Sequence, residues 1–166
     1  LTDIALAGRE KGLGLWNQFQ SDASNDALRS NIRVFLSGAM EATSSFACWA
    51  LSHLSRRPDI QDQIHEEVVG LDSYDPDNYA SARTLNRVLE ETLRLTPSLY
   101  FLPRKATVDT WIETSDKRRM FIPKGTTIRL DVWHANRCEE FWGKAISGYP
   151  ALEFAPERWE VLAQKG

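Results

Sequence analysis

Apolar side chains recur at helical spacing from Leu28 through Ile32, Phe35, Leu36, Ala39 and Met40 to Ala47, Ala50, Leu51 and Leu54. The stripe predicts one long helix over residues 25–55, capped by Asp22, Ser24 or Asn25. It is wide enough to predict burial on most sides in the middle. Ile60, Ile64 and Val68 follow at four-residue steps behind Pro58 and Asp59, so a second helix spans 58–70 and Gly70 closes it. Residues 71–80 are polar and turn-rich. Leu85, Val88, Leu89 and Leu93 predict a third helix over 82–95.

After Pro97 the period changes from helical to extended. Thr107 to Glu113 and Arg119 to Ile122 flank Ser115-Asp116-Lys117, which reads as a hairpin. Pro123-Lys124-Gly125 reads as a turn with Pro at i+1 and Gly at i+3. Ile128, Leu130 and Val132 alternate with Thr127, Arg129 and Asp131, as in a half-buried strand. The fold class is mainly α with a small β-sheet, an α+β chain in a single domain. Within it, residues 1–24 are a weakly patterned lead-in, 25–97 helical, 98–135 the small sheet and 136–166 a loop segment.

Composition narrows the function classes. The 166 residues carry a net charge of −3 with both signs interspersed, which leaves no basic stripe for nucleic acid. No apolar run approaches the length of a spanning helix. Cys48 and Cys138 form neither a disulfide framework nor a metal pair, and both are expected as small buried hydrophobes. His53, His65 and His134 show no metal-ligand spacing, and the six Trp are expected in packing roles.

The chemistry concentrates in two strings. Glu91-Thr92-Leu93-Arg94 sets a carboxylate and a guanidinium on one helical face, and Pro156-Glu157-Arg158-Trp159 offers a second guanidinium. One Glu can then sit between two Arg, whose planar forks suit bidentate pairing as Lys would not. The helical pair alone carries little weight, because 12 Glu and 14 Arg produce about one Glu-x-x-Arg by chance. The Pro-Glu-Arg-Trp string would arise on the order of once in a thousand such sequences.

Taken in order, these two strings together with Phe35-Leu36-Ser37-Gly38-Ala39-Met40-Glu41-Ala42-Thr43-Ser44-Ser45, Arg104, Phe121-Ile122-Pro123-Lys124-Gly125-Thr126 and Phe141-Trp142-Gly143 resemble the cytochrome P450 family, the heme-thiolate monooxygenases. The resemblance covers about Leu28 to Trp159 and is strongest to the membrane-bound eukaryotic branch of fungal type. It implies a fragment of that fold, from the long central helix to the Pro-Glu-Arg-Trp segment. Glu91, Arg94 and Arg158 would be a structural triad locking the core beneath heme, and Arg104 would hold a heme propionate. Glu41 and Thr43 would relay protons during dioxygen activation, with Ala39 and Ala42 standing where the family usually has Gly and Thr. Phe35, Met40 and Phe46 would line an apolar pocket.

The family's iron-ligating Cys sits in a glycine-flanked loop after the Pro-Glu-Arg string. Neither Cys48 nor Cys138 has that context, so the axial Cys is expected beyond Gly166 and no metal ligand is assigned within the chain. The implied partners are an NADPH-dependent reductase and an apolar small-molecule substrate. The implied location of the complete protein is the endoplasmic reticulum membrane, held by an anchor that precedes this region. By itself the chain is expected to be inactive, and the rival reading is a non-catalytic helical interaction protein on the same scaffold. Residues 146–150 look like an insertion of about five residues, either a tolerated surface loop or a gene-model error.

Overall fold

A computed structural model describes residues 25–71 and 76–165; the lead-in over 1–24 lies outside the described residues. The chain divides into two compact units, residues 1–47 and 48–166, and the boundary falls within helix α1 (Asn25–Leu54). In the first unit Leu28 and Ile32 are buried, each 1% exposed. The middle of α1 is not buried as its apolar stripe predicts: Phe35 is 63% and Met40 65% exposed. An apolar face is a demand for a neighbouring layer, and the described residues place none over Phe35 or Met40.

The second unit is built from the end of α1 onward. Helix α2 (Pro58–Val69) starts on Pro58, where the missing N–H removes nothing that an intrahelical bond needs. Gly70 ends it in an ordinary right-handed conformation, φ −77°, so this C-terminus does not depend on glycine's access to the left-handed region. The polar stretch expected as turns contains helix α3 (Pro76–Ser81), again opened by a proline. Helix α4 (Arg83–Leu95) buries Val88, Glu91, Thr92, Arg94 and Leu95 on one side. Its N-cap, Ala82, has no side chain that can cap it. The carboxylate of Glu67 on α2 does so instead, accepting from the amides of Thr84 at 3.0 Å and Leu85 at 3.1 Å.

The single small sheet predicted from the alternation resolves into two antiparallel ribbons. Strand β1 (Phe101–Lys105) pairs with β4 (Thr127–Asp131), and β2 (Thr110–Glu113) pairs with β3 (Arg119–Ile122). The hairpin strand therefore starts at Thr110 rather than Thr107. Strand β4 is mostly exposed, with Leu130 at 48%, because a two-stranded ribbon has no second layer across its apolar face. Val132 leaves the strand and opens the short helix α5 (Val132–Ala135).

The turn after β3 also differs from expectation. Thr126 donates to the carbonyl of Pro123 at 3.1 Å, and Gly125 has φ +87°, so glycine occupies i+2 rather than i+3. That is the position where a turn of this hand needs a residue free to take positive φ.

Residues 136–166, expected as a loop segment, contain three short helices: α6 (Glu139–Trp142), α7 (Lys144–Ser147) and α8 (Arg158–Ala163). Residues 146–150 lie mostly at the surface, with Ile146, Gly148 and Pro150 exposed and Tyr149 half-buried, but Ser147 turns inward. Ser147 has no exposed surface, and its hydroxyl hydrogen-bonds inside the second unit. No helix among the described residues is long and apolar enough to cross a membrane.

Candidate functional site

The buried stripe of α4 runs Val88, Glu91, Thr92, Leu95 rather than along the predicted leucines, of which Leu93 is 48% exposed; Arg94, three residues after Glu91, stacks one turn over it. Pro156 and Glu157 then lead Arg158 into the same interior as the first residue of α8. The side chains of Glu91 and Arg158 have no exposed surface and that of Arg94 has 1%. Glu91 Oε1 accepts from Arg94 Nη2 at 2.8 Å, Arg158 Nε at 2.9 Å and the Ala155 amide at 3.0 Å. Glu91 Oε2 accepts from Arg94 Nε at 2.9 Å and from the indole N–H of Trp159 at 3.1 Å.

Both guanidinium groups are saturated. A guanidinium carries five N–H groups in one plane and no acceptor. The remaining protons of Arg94 go to the carbonyls of Asn136 and Ala151, each at 2.7 Å, and of Glu153 at 3.2 Å. Arg158 Nη1 donates to Trp142 O at 2.7 Å and Ser147 Oγ at 2.5 Å, and Nη2 to Pro150 O at 2.9 Å and Glu153 O at 3.0 Å. Every strong donor in the cluster has a partner, which is the condition under which buried charge is tolerable at all. The Arg94 guanidinium also lies 5.3 Å from the centre of the Trp142 ring, within cation–π range.

Electrostatics in the cluster oppose one another. Burial pushes the Glu91 carboxyl up. The Arg94 hydrogen bond, the Ala155 amide and the charges of Arg94 and Arg158 outweigh it and hold Glu91 below its ordinary value. Two cations face one anion, and the surplus positive charge is met by carbonyl dipoles, with Glu139 near enough for the Arg158 charge to help lower its carboxyl.

Around this centre lies a supporting ring. Glu139 accepts from the amides of Lys144 at 3.1 Å and Ala151 at 3.0 Å, and those bonds hold its carboxyl below the ordinary value. Gly143 fits against Glu139 so closely that a Cβ would overlap both its carboxyl group and its carbonyl oxygen. Arg57 bonds Glu157 at 2.6 Å and Asp59 at 2.8 Å, tying the start of α2 to the Pro156 segment. His53 stacks on Phe154 with ring centres 4.4 Å apart and planes 2° from parallel, and its Nε2 is buried without a partner. Burial first, then the charge of Arg56, pushes His53 down; Glu91 pulls it back in part, and Arg137 adds a smaller push down.

The other sequence candidates lie apart from this cluster. Arg104 is exposed on β1, where it donates to the adjacent Pro103 carbonyl at 2.9 Å. Glu41 and Thr43 are exposed on α1 in the first unit, with Ser37 Oγ donating to Glu41 Oε1 at 3.2 Å. Cys48 is exposed on α1, contrary to the expectation of burial, because the side of α1 it occupies is uncovered; Cys138 is half-buried just before α6. For heme, the donors present fit the edge of the group: the open guanidinium of Arg104 can take a carboxylate. Neither thiol stands in a glycine-flanked loop, so neither is assigned as an axial ligand. Among the described residues no group of three or more His, Cys, Asp or Glu could hold a metal ion.

Sequence reasoning missed Trp159 and Ser147 as parts of the cluster. Trp159 was detectable, since it ends the rare Pro-Glu-Arg-Trp string. Ser147 carries no such signal. Its role depends on how far the chain folds back between Gly143 and Pro156.

Comparison with known proteins bears on all of this. The family model described as Cytochrome P450 matches residues 2–164. The cytochrome P450 monooxygenase FSL4 of Gibberella zeae is 34% identical over 82% of this chain and 24% of its own length. The cytokinin hydroxylase of Arabidopsis thaliana is 32% identical over 95% of this chain and 31% of its own. A crystal structure of a cytochrome P450 (CYP102L1) superposes with a TM-score of 0.68 at 27% identity, covering 82% of this chain and 30% of that one. The chain thus spans about a quarter to a third of the length of the curated relatives it matches.

Proposed function

The chain belongs to the cytochrome P450 family, and from that premise we propose that its protein is a heme-dependent monooxygenase acting on an apolar small molecule with dioxygen and electrons from an NADPH-dependent reductase. The observation that carries the reading is the saturated Glu91–Arg94–Arg158 cluster. Its triad is the arrangement the family resemblance implies beneath heme. The relatives' names range from a plant cytokinin hydroxylase to fungal monooxygenases, which supports a small-molecule oxidation and selects no single substrate. The endoplasmic reticulum membrane location of the complete protein rests on the family resemblance.

Heme, when bound, supplies the oxygen activation itself. The chain's own residues have narrower tasks. Arg104 holds a heme carboxylate through charge-assisted hydrogen bonds. Glu41 and Thr43 take the acid and alcohol places of a proton relay, since the methyl of Ala42 can neither give nor accept a proton; two residues apart on one helix, they stand about 200° apart round its axis, so the relay between them runs through water. Phe35, Met40 and Phe46 offer apolar contacts to substrate and keep water from it. The buried cluster is a brace within the second unit, where Arg104 also lies.

The test uses the full gene product containing this chain. Its carbon monoxide difference spectrum should be that of thiolate-ligated heme, and Arg94→Ala should abolish heme incorporation. Arg104→Ala should weaken heme retention while leaving the apoprotein's urea midpoint within about 0.2 M of wild type, as befits an exposed side chain. A protein that folds but takes up no heme would overturn the monooxygenase reading and favour a non-catalytic interaction protein.

A further inference from the structure

Residues 144–150 run mostly along the surface, yet the Ser147 side chain and the carbonyls of Tyr149 and Pro150 reach the buried cluster. The backbone turns through α7 and then through Gly148 at φ +82°, which brings Ser147, Tyr149 and Pro150 to one guanidinium. Ser147 has no exposed surface. Its hydroxyl has one proton to give, and the nearest acceptor is Trp142 O at 2.8 Å. Its lone pairs then receive Arg158 Nη1 at 2.5 Å and the Tyr149 amide at 3.4 Å. Besides Glu91, it is the one side-chain acceptor of Arg158 among the described residues; the rest are backbone carbonyls.

We infer that residues 144–150 are a clip for Arg158, and that Ser147 is a positioning residue that aims the Arg158 guanidinium so that Nε stays on Glu91. The reason is the rigidity of the fork. Because the five N–H groups share one plane, fixing Nη1 and Nη2 from the far side determines where Nε points. Trp142 O and Ser147 Oγ take the two protons of Nη1. Without the hydroxyl, that N–H keeps only the Tyr149 carbonyl, at 3.5 Å the longest of the Nη1 contacts. The guanidinium can close on that carbonyl only by rotating, and rotation moves Nε off Glu91. This inference is independent of the heme reading, because every atom in it belongs to the chain and each measurement below is made without cofactor.

The test follows solvent exchange of arginine side-chain protons by NMR in the nitrogen-15-labelled chain. In wild type the Arg158 and Arg94 protons should exchange on the order of a hundredfold more slowly than those of exposed Arg118. Ser147→Ala should speed Arg158 exchange by at least about tenfold while Arg94 stays within about twofold, since Arg94 has no bond to Ser147. Ser147→Thr, which keeps the hydroxyl, should restore slow exchange at Arg158. Arg158 exchanging as fast as Arg118 in wild type would overturn the inference. So would a Ser147→Ala variant in which both guanidinium groups change alike or neither changes. Should Ser147→Ala fail to fold, folding of Ser147→Thr with a protected Arg158 upholds the need for the hydroxyl. Failure of both variants to fold would assign Ser147 to packing alone and overturn its positioning role.

Discussion

Replacing Glu91 with glutamine keeps the shape of the side chain and removes the one anion from between two arginines. The carboxylate has no exposed surface and accepts from Arg94 Nε, Arg94 Nη2, Arg158 Nε, Ala155 N and Trp159 Nε1. An amide has one oxygen. If its NH₂ takes the place of Oε2, it meets Arg94 Nε and the Trp159 indole; if it takes the place of Oε1, it meets three donors. Breaking a buried ion pair by removing one partner costs about 3–5 kcal/mol, and this includes part of the roughly 1–3 kcal/mol for each stranded donor. A loss of about 4 kcal/mol is a large share of the roughly 5–15 kcal/mol that holds a domain together. With a urea slope of about 1–3 kcal/mol/M, the midpoint of Glu91→Gln should fall by roughly 1.3–4 M. Unfolding can be read by tryptophan fluorescence, because Trp142 and Trp159 lie 5.6 Å apart beside the cluster. Glu113→Gln on an exposed strand is the control and should barely move.

The pH dependence has a definite sign. Glu91 has a folded pKa below its unfolded one, so its contribution is complete above the ordinary carboxylate range and is lost as pH falls through the folded value. The gap between wild type and Glu91→Gln should therefore close on acidification below about pH 4.3. A midpoint shift under about 0.3 M at neutral pH would refute the reasoning, since no buried, fully paired charge could be lost so cheaply.

Gly143→Ala should destabilise the chain by about 1–3 kcal/mol, as its Cβ would overlap Glu139 and dislodge the bonds to Lys144 and Ala151; thermal unfolding checks it. Glu67→Ala should cost about 1 kcal/mol by uncapping α4, and should speed amide exchange at Thr84 and Leu85 more than elsewhere. His53 has a folded pKa below its ordinary value, so the unfolded chain binds the proton first and stability falls as pH drops below about 6.5. His53→Phe keeps the stack on Phe154 and should flatten that dependence, measured as the denaturation midpoint between pH 5 and about pH 7.

The helices over 25–54, 58–69 and 83–95 were legible because each carries a 3.6-residue apolar period with proline or polar punctuation. The Glu91–Arg94 pair was legible for the same reason, helical spacing placing both on one face. Three things were not. The cap of α4 comes from Glu67, a full helix earlier, and no local pattern signals a tertiary cap. The short helices after Asn136 are four to six residues long, too short for a period to emerge. Exposure of Phe35, Met40 and Cys48 runs against composition, because side-chain chemistry reports what a face wants and says nothing about whether the described chain supplies it.

The acid and its second arginine are separated by 67 positions, and nearly every carbonyl that steadies the pair comes from the final third of the chain. Two charges so far apart along the backbone cannot find each other until what lies between has taken shape, because closing that loop has an entropic cost that local contacts must first offset. Their union therefore serves as a late folding checkpoint. A nick or misfold anywhere between Thr96 and Glu157 should leave Glu91 with Arg94 alone, both stripped of their partners from the later chain, and the damage should show as loosening of α4, far from where it occurred.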